Sequence, residues 1–337
     1  VPSQLLPPPH AAVVYNPVKI SLDHLREAVE AERRRRSWAP TRWYPTDRGD
    51  SGLRAAREAV EAGPEVVIVA GGDGTLRAVA EALQRTEVPL AILPCGTGNL
   101  LARNLGVPLK DIPSAVRAAF TGATQSIDIA VATLRRTGGE WEHHVFLVMA
   151  GIGLDSEMAE HTNAIAKKRI GWLAYVQPIT RSVLANRHFS LRYRIDGGPA
   201  RSTRAHTVIV GNCGTLAGNM LLLPEAVVDD GLLDVVMLRP ESLFGWARIG
   251  TRLTAQGVAR VSRLATRLLE RAPKMRALVY ARGRRFDVRF DTPHTVQLDG
   301  DGFGEIIGAR IGVRPDGLRI CVSNPGRAFE ADSGVDG

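Results

Sequence analysis

The stretch Val66 to Leu83, VVIVAGGDGTLRAVAEAL, joins two different periods across a cluster of small residues. Glu65 to Ala70 is short, β-branched and mostly apolar on both faces, the pattern of a strand buried in a parallel sheet. Leu76, Val79, Ala80 and Leu83 then recur at helical spacing, which makes Gly71 to Thr75 a strand-to-helix turn. Its glycines, Gly71, Gly72 and Gly74, admit positive φ and close backbone approach, and the free N–H groups of the new helix lie at the positive end of its dipole. Such a turn is either an anion cradle or a tight connection that binds nothing. Asp73 inside it would repel a phosphate unless a cation lay between them, which points to Mg²⁺ with a nucleotide.

The same grammar extends on both sides. Ala11 to Tyr15 reads as a buried strand stopped by Asn16-Pro17, and Ser21 caps a helix with Leu22, Leu25 and Val29 on one face. The run Arg33 to Arg36 ends it as a solvated terminus, with cations at the negative dipole end. Leu53 to Ala62 is a further helix. Val88 to Leu93 is a strand followed by a second Gly-rich turn, PCGTGN, with Asn99 as helix cap and Gly106-Val107-Pro108 as the stop. The order β-α-α-β-α-β-α is that of a doubly wound α/β domain over residues 1–124, with both Gly-rich turns at carboxyl ends of strands, where such sheets bind ligands.

From Gln125 the texture changes to hairpins. RRTGGEWEHH turns between Ile127 to Leu134 and Val145 to Ala150, and strands recur at Leu191 to Ile195, His206 to Val210, Leu232 to Leu238, Phe286 to Phe290, Val296 to Leu298 and Leu318 to Val322. Residues 125–324 therefore form a mostly antiparallel β domain, interrupted by helical insertions at Ser156 to Asn186 and Leu243 to Arg271.

A chain of 337 residues with 45% hydrophobic and 23% charged residues fits two soluble domains. The net charge of +8 suits phosphate-rich small molecules, nucleic acid or an anionic membrane alike. Aromatic residues at 5%, with no aromatic-interleaved basic stripe, argue against nucleic acid. Cys95, Cys213 and Cys321 lack paired spacing, which argues against disulfides or zinc and fits the cytoplasm. The N-terminal stretch has no basic n-region or long apolar core and does not read as a signal peptide. No apolar run reaches the ~18 residues of a spanning helix, so membrane contact is expected to be peripheral.

There is no Gly-Lys-Ser/Thr, and the few lysines are expected to be nowhere near a Gly-rich turn, which excludes a Walker-type loop and leaves backbone N–H groups, arginine and metal to meet phosphate. GIGLDS at Gly151 reads as a structural turn, and His143-His144 beside Glu142 as surface.

Together these residues resemble the diacylglycerol kinase catalytic-domain family, which includes sphingosine and ceramide kinases. The matching elements are Asn16-Pro17, Thr46 followed by GDS, GGDGT at Gly71 to Thr75, PCGTGN at Pro94 to Asn99, GIGLD at Gly151, PEAVVDDGLLDV at Pro224 to Val235 and QLDGD at Gln297 to Asp301. GGDGT alone is shared with NAD kinases; the distant DDGLLDV and LDGD make the match specific. The resemblance implies an NAD kinase-like domain binding ATP through Asn16, Thr46, Gly71, Gly72, Asp73, Gly74, Thr75 and Thr97, and a β-sandwich facing it. It also implies a chain end, 325–337, that packs back on the first domain, and Mg²⁺ held by Asp230 and the carbonyls of Val227 and Leu232. Asp299 is implied as the catalytic base, with Asp301 in support. Two departures stand out: Leu100 where many members have Asp, and Asp301 where many have Glu.

The expected activity is transfer of the ATP γ-phosphate to a lipid hydroxyl, diacylglycerol first, at an anionic membrane surface. A long-chain alcohol kinase, or a lipid- and nucleotide-binding protein without turnover, are the alternatives. Basic helices at Lys167 to Arg187 and Trp246 to Arg271 are either membrane-docking or solvated faces, and the family resemblance also admits a homodimer.

Overall fold

The computed structural model describes residues 8–47, 52–109, 111–121, 123–153, 188–215, 221–239 and 277–323. Both expected helical insertions, and the two basic helices within them, lie outside the described residues.

The chain divides into two compact units, Val1–Ile127 with Asp316–Gly337, and Asp128–Pro315. The division falls at 127/128 where 124/125 was expected, and the residues from Asp316 group with the first unit; the chain end 325–337, expected to pack back on that domain, lies outside the described residues. In the first unit the order is β1 (Ala11–Tyr15), α1 (Leu22–Arg35), β2 (Arg42–Pro45), α2 (Leu53–Glu61), β3 (Val66–Gly71), α3 (Asp73–Leu83), β4 (Leu90–Pro94), α4 (Leu100–Asn104) and α5 (Ile112–Thr121). The parallel sheet runs β2-β1-β3-β4, and the last residues of β14 (Asp301–Cys321) add beside β4 with Ile320 opposite Leu90. Both faces are covered. Ala11, Val13, Ile68, Ala70 and Leu93 pack with Leu25 and Val29 of α1 and Val116 and Phe120 of α5. The opposite parity, Ala12, Val14, Val67 and Val69, is buried too, on the side of α2 and α3. This is the doubly wound arrangement, with strand β2 inserted into the expected order.

The second unit is an antiparallel β domain, continued by β5 (Thr124–Arg135), β6 (Trp141–Phe146), β7 (Met149–Ile152), β8 (Phe189–Ile195), β9 (Arg201–Ala205), β10 (Thr207–Gly211), β11 (Leu233–Leu238), β12 (Leu278–Gly283), β13 (Arg285–Leu298) and β14. Its central path is β12-β11-β10-β7-β13-β14, with β8 also on β13, β9 on β8, β5 on β14 and β6 on β5. Alternation along β8 and β13 sends Leu191, Tyr193, Phe286, Val288 and Phe290 into the core with Phe146, Ile152 and Leu298. The strand expected over Val145 to Ala150 is in fact two, β6 and β7, broken at Leu147 and Val148. Their N–H groups leave the ladder to meet a carboxylate, described below.

Candidate functional site

In the first unit the carboxyl ends of β1, β3 and β4 deliver three turns to one place. After β1, the Asn16 N–H donates to the Ala70 carbonyl at 2.9 Å, tying the first turn to β3. The Asn16 side chain accepts the Val18 N–H at 3.0 Å, and the Lys19 N–H donates to the Asn16 carbonyl. Asn16 therefore folds a tight turn whose exit is Lys19.

The Lys19 ammonium lies 2.9 Å from where a side-chain Cβ on Gly72 would sit. Among the described residues Lys19 makes no ion pair or hydrogen bond through its ammonium. This corrects the expectation that lysines are remote from the Gly-rich turns: residue 19 is distant from residue 72 in sequence, but parallel pairing of β1 with β3 brings their carboxyl ends together.

The glycines serve close approach rather than positive φ. Gly72 is extended, with φ −98° and ψ −173°, and neither Gly71 nor Gly74 adopts positive φ. A Cβ on Gly96 would fall 2.7 Å from the Gly72 Cα, so the two Gly-rich turns abut backbone to backbone. A Cβ on Gly71 would fall 2.7 Å from the buried Thr75 side chain. Gly74 lies in the first turn of α3, whose N-terminus carries no side-chain cap. Thr97 is exposed at the tip of the second turn. Thr46 is buried, donates its N–H to the Tyr15 carbonyl and packs on Gly52, the left-handed residue that opens α2.

Asp73 is half-buried at the start of α3. Its Oδ1 accepts the Leu100 N–H at 2.7 Å and so caps α4 from another element. Burial raises the pKa of this carboxyl, and the amides of Leu100, Asn99 and Leu101 work in the opposite direction. Asn99, the expected cap, sits at φ 49° and instead clasps Gly96, accepting its N–H at 2.8 Å and donating to its carbonyl at 2.9 Å. Ser21 likewise holds the cap position of α1 without a side-chain bond. Cys95 stands beside Lys19; burial raises its thiol pKa and the ammonium opposes that.

In the second unit, Asp299 and Gly300 form the two-residue turn of the β13–β14 hairpin, with φ 49° and 89° and Leu298 opposite Asp301. Two positive values are the signature of a type I′ turn. The buried Asp299 carboxylate accepts three main-chain N–H groups: Leu147 on Oδ2 at 2.8 Å, and Val148 and Met149 on Oδ1 at 2.9 and 3.0 Å. A network missed by sequence reasoning continues from there. The Asn212 N–H donates to the Val148 carbonyl, the Asn212 amide donates to the Asp128 carbonyl at 3.1 Å, and the Asp128 Oδ2 accepts the Gly231 N–H at 2.6 Å. Asp299 and the Asp229-Asp230-Gly231 loop are thereby joined through buried polar groups. Their only signal in the sequence was that Asp128 is a polar residue inside an apolar strand and Asn212 a polar residue directly after one.

Asp230, the expected Mg²⁺ ligand, accepts the Leu232 N–H at 2.9 Å and pairs with the Arg282 guanidinium. Arg282 also lies 3.5 Å from Asp234 and donates to the Glu225 carbonyl at 3.0 Å. Val227 is exposed in the same loop. As arranged, the Arg282 guanidinium holds the place beside Asp230, and a divalent cation there would have to displace it. No group of three or more His, Cys, Asp or Glu with metal-site geometry occurs among the described residues. His143 and His144 lie on β6, hydrogen-bonded to Thr133 and Glu142 respectively; His143 is a surface residue, while His144 is half-buried against the Phe303 ring.

Residues 10–132 match the model of the diacylglycerol kinase catalytic domain, and residues 148–322 that of the YegS C-terminal NAD kinase beta sandwich-like domain. A protein of Pseudomonas syringae pv. syringae named probable lipid kinase YegS-like is 35% identical over 235 residues, 67% of this chain and 70% of that one. One of the same name from Stenotrophomonas maltophilia is 31% identical over 303 residues, covering 87% and 90%. A crystal structure of a diacylglycerol kinase from Bacillus anthracis str. Sterne superposes with TM-score 0.61 at 18% identity, covering 94% of this chain and 97% of that one, a likeness of fold. No described helix is long and apolar enough to cross a membrane. The paired Gly-rich turns, the Asp-Gly hairpin and both domain matches run in one order along the chain, which belongs to the YegS-like lipid kinases of the diacylglycerol kinase family.

Proposed function

We propose that the protein transfers the γ-phosphate of ATP, as its Mg²⁺ complex, to a primary hydroxyl of a lipid, with diacylglycerol the first candidate acceptor. The observation that carries this reading is the cradle itself: an uncapped N-terminus of α3, two glycine turns in backbone contact, and the Lys19 ammonium beside Gly72. Main-chain N–H groups and one mobile cation are the elements by which phosphate is held without a Walker lysine. Mg²⁺ would enter with the nucleotide and neutralise charge on its phosphates, since the Asp230 loop already holds a guanidinium.

In the reaction the acceptor oxygen bonds to the γ-phosphorus, the bond from that phosphorus to the β,γ-bridging oxygen breaks, ADP leaves and the hydroxyl proton passes to a base. Asp299 is the residue assigned to that proton. Its anchoring by three N–H groups favours a second reading, a lipid- and nucleotide-binding protein with weak turnover. Radiolabelled ATP supplied with diacylglycerol, ceramide, sphingosine and monoacylglycerol in neutral detergent micelles tests both. Label in phosphatidic acid supports the proposal, label confined to another lipid changes the acceptor, and none in any lipid leaves the binding protein.

A further inference from the structure

The outer face of the second unit's sheet is basic to a degree that its own contacts do not balance. Along β8, Ser190, Arg192 and Arg194 point away from the core, and along β13 so do Arg285, Asp287, Arg289 and Asp291. The register sets Arg192 opposite Arg289, Arg194 opposite Asp287, Asp287 opposite Arg310 and Ser190 opposite Arg204. The patch continues onto β5 and β6, where Arg135 stands opposite Trp141. The Trp141 ring lies under the guanidinium of Arg310 at 4.6 Å and that of Arg135 at 5.8 Å.

Like charges directly opposite each other on paired antiparallel strands destabilise the pair. Arg192 and Arg289 are such a pair, both exposed, and among the described residues neither makes an ion pair. The strand carboxylates on this face are Asp287, engaged by Arg285 at 2.9 Å, and Asp291. A sequence that keeps this repulsion at a solvated surface keeps its positive charge for a partner.

We infer that this arginine face is the surface by which the protein docks on an anionic lipid bilayer, an inference that rests on the lipid-acceptor reading above. A sheet face presents its guanidinium groups in a shallow plane, matched to a plane of lipid phosphates that each accept bidentate hydrogen bonds. Trp141, 39% exposed at the edge of the patch, is the amphipathic aromatic that settles at headgroup depth. The acceptor of a lipid kinase resides in a membrane, and none of the described helices can carry this chain into one. Docking by charge would supply such a contact.

The test uses the full chain with vesicles of phosphatidylcholine, with or without phosphatidylglycerol, and the double variant Arg192→Gln/Arg289→Gln. Sedimentation should show binding to the phosphatidylglycerol vesicles alone, weakened on the order of 30-fold in the variant. Its thermal midpoint should not fall, because a repulsion has been removed. Transfer to a short-chain acceptor dissolved as monomer should be unchanged, since neither arginine belongs to the cradle. A second pair, Arg194→Gln/Arg204→Gln, should weaken vesicle binding comparably and covers failure of the first to fold. Equal vesicle binding by wild type and both variants overturns the inference. So does retention of a single-stranded oligonucleotide with no retention of vesicles, which would make the face a polynucleotide site. Absence of transfer to any lipid in neutral micelles would instead overturn the lipid-kinase reading, whatever the vesicles show.

Discussion

The Asp73 carboxylate accepts the main-chain N–H of Leu100 at 2.7 Å, joining the two Gly-rich turns across 27 residues of sequence. The side chain of residue 100 is thus incidental to this contact, and Leu100, where the resemblance led one to expect Asp, leaves the link intact. Asp73→Ala strands a half-buried amide and should cost about 1.5–3 kcal/mol in denaturant unfolding. Asp73→Asn, which keeps an acceptor oxygen, should cost less. Equal losses from both would show that charge rather than the hydrogen bond is what matters.

Gly72 and Gly96 make a contrasting pair. A Cβ on Gly96 meets the Gly72 main chain at 2.7 Å, whereas a Cβ on Gly72 meets the movable end of Lys19 at 2.9 Å. Gly96→Ala should therefore destabilise the fold, by roughly 1–3 kcal/mol as overpacking does. Gly72→Ala should leave the thermal midpoint nearly unchanged and weaken ATP by displacing the ammonium. Calorimetric titration of both, beside unfolding curves, checks the assignment. Unaltered ATP affinity in Gly72→Ala would remove the cradle from consideration.

Lys19→Met tests the cation itself. It should weaken ATP and ADP by about tenfold or more, the size of a charge-assisted hydrogen bond, and leave adenosine untouched. The fold should not respond, because Lys19 has no partner among the described residues. A loss shared equally by adenosine would place Lys19 away from the phosphates.

The Arg282 cluster carries a pH signature. Burial, with help from Asp230 and Glu225, pushes the Asp234 carboxyl up to about 6 although Arg282 acts to lower it. A carboxyl with a raised folded pKa binds more protons folded than unfolded, so its contribution is full below about 4 and is lost as pH rises through about 6. Asp234→Asn should flatten the fall in stability across that window, read by chemical denaturation at several pH values. An unchanged slope would assign the titration elsewhere.

The sequence showed the doubly wound frame because its strands are apolar on both faces and its turns are glycine-rich, features that depend on few partners. Strand β2 was hidden: Arg42 to Pro45 is only four residues long with a terminal proline, and only pairing with β1 makes it a strand. Lys19 was hidden for the opposite reason, since its own neighbours say nothing about Gly72; parallel pairing alone joins them. The break between β6 and β7 was hidden because the N–H acceptor is a carboxylate some 150 residues away. Long-range polar contacts leave no period in a sequence.

Asp299 is where the hairpin and the proposed chemistry compete. The turn needs a residue that tolerates φ 49°, the β6–β7 break needs an acceptor for three N–H groups, and phosphoryl transfer needs a base. Asp299→Asn keeps the turn and one acceptor oxygen but turns an NH₂ group toward an N–H donor. It should therefore lower stability by about 1–3 kcal/mol, unlike a substitution at an ordinary hairpin tip. Measured well below its lowered midpoint, turnover per folded molecule should fall by about 10² to 10⁴ with ATP affinity retained, the loss expected for a general base. Asp301→Asn, at a half-exposed position on β14, should be milder in both measurements. If folded Asp299→Asn turns over at the wild-type rate while unfolding more easily, the carboxylate is a backbone clamp and the proton acceptor lies elsewhere.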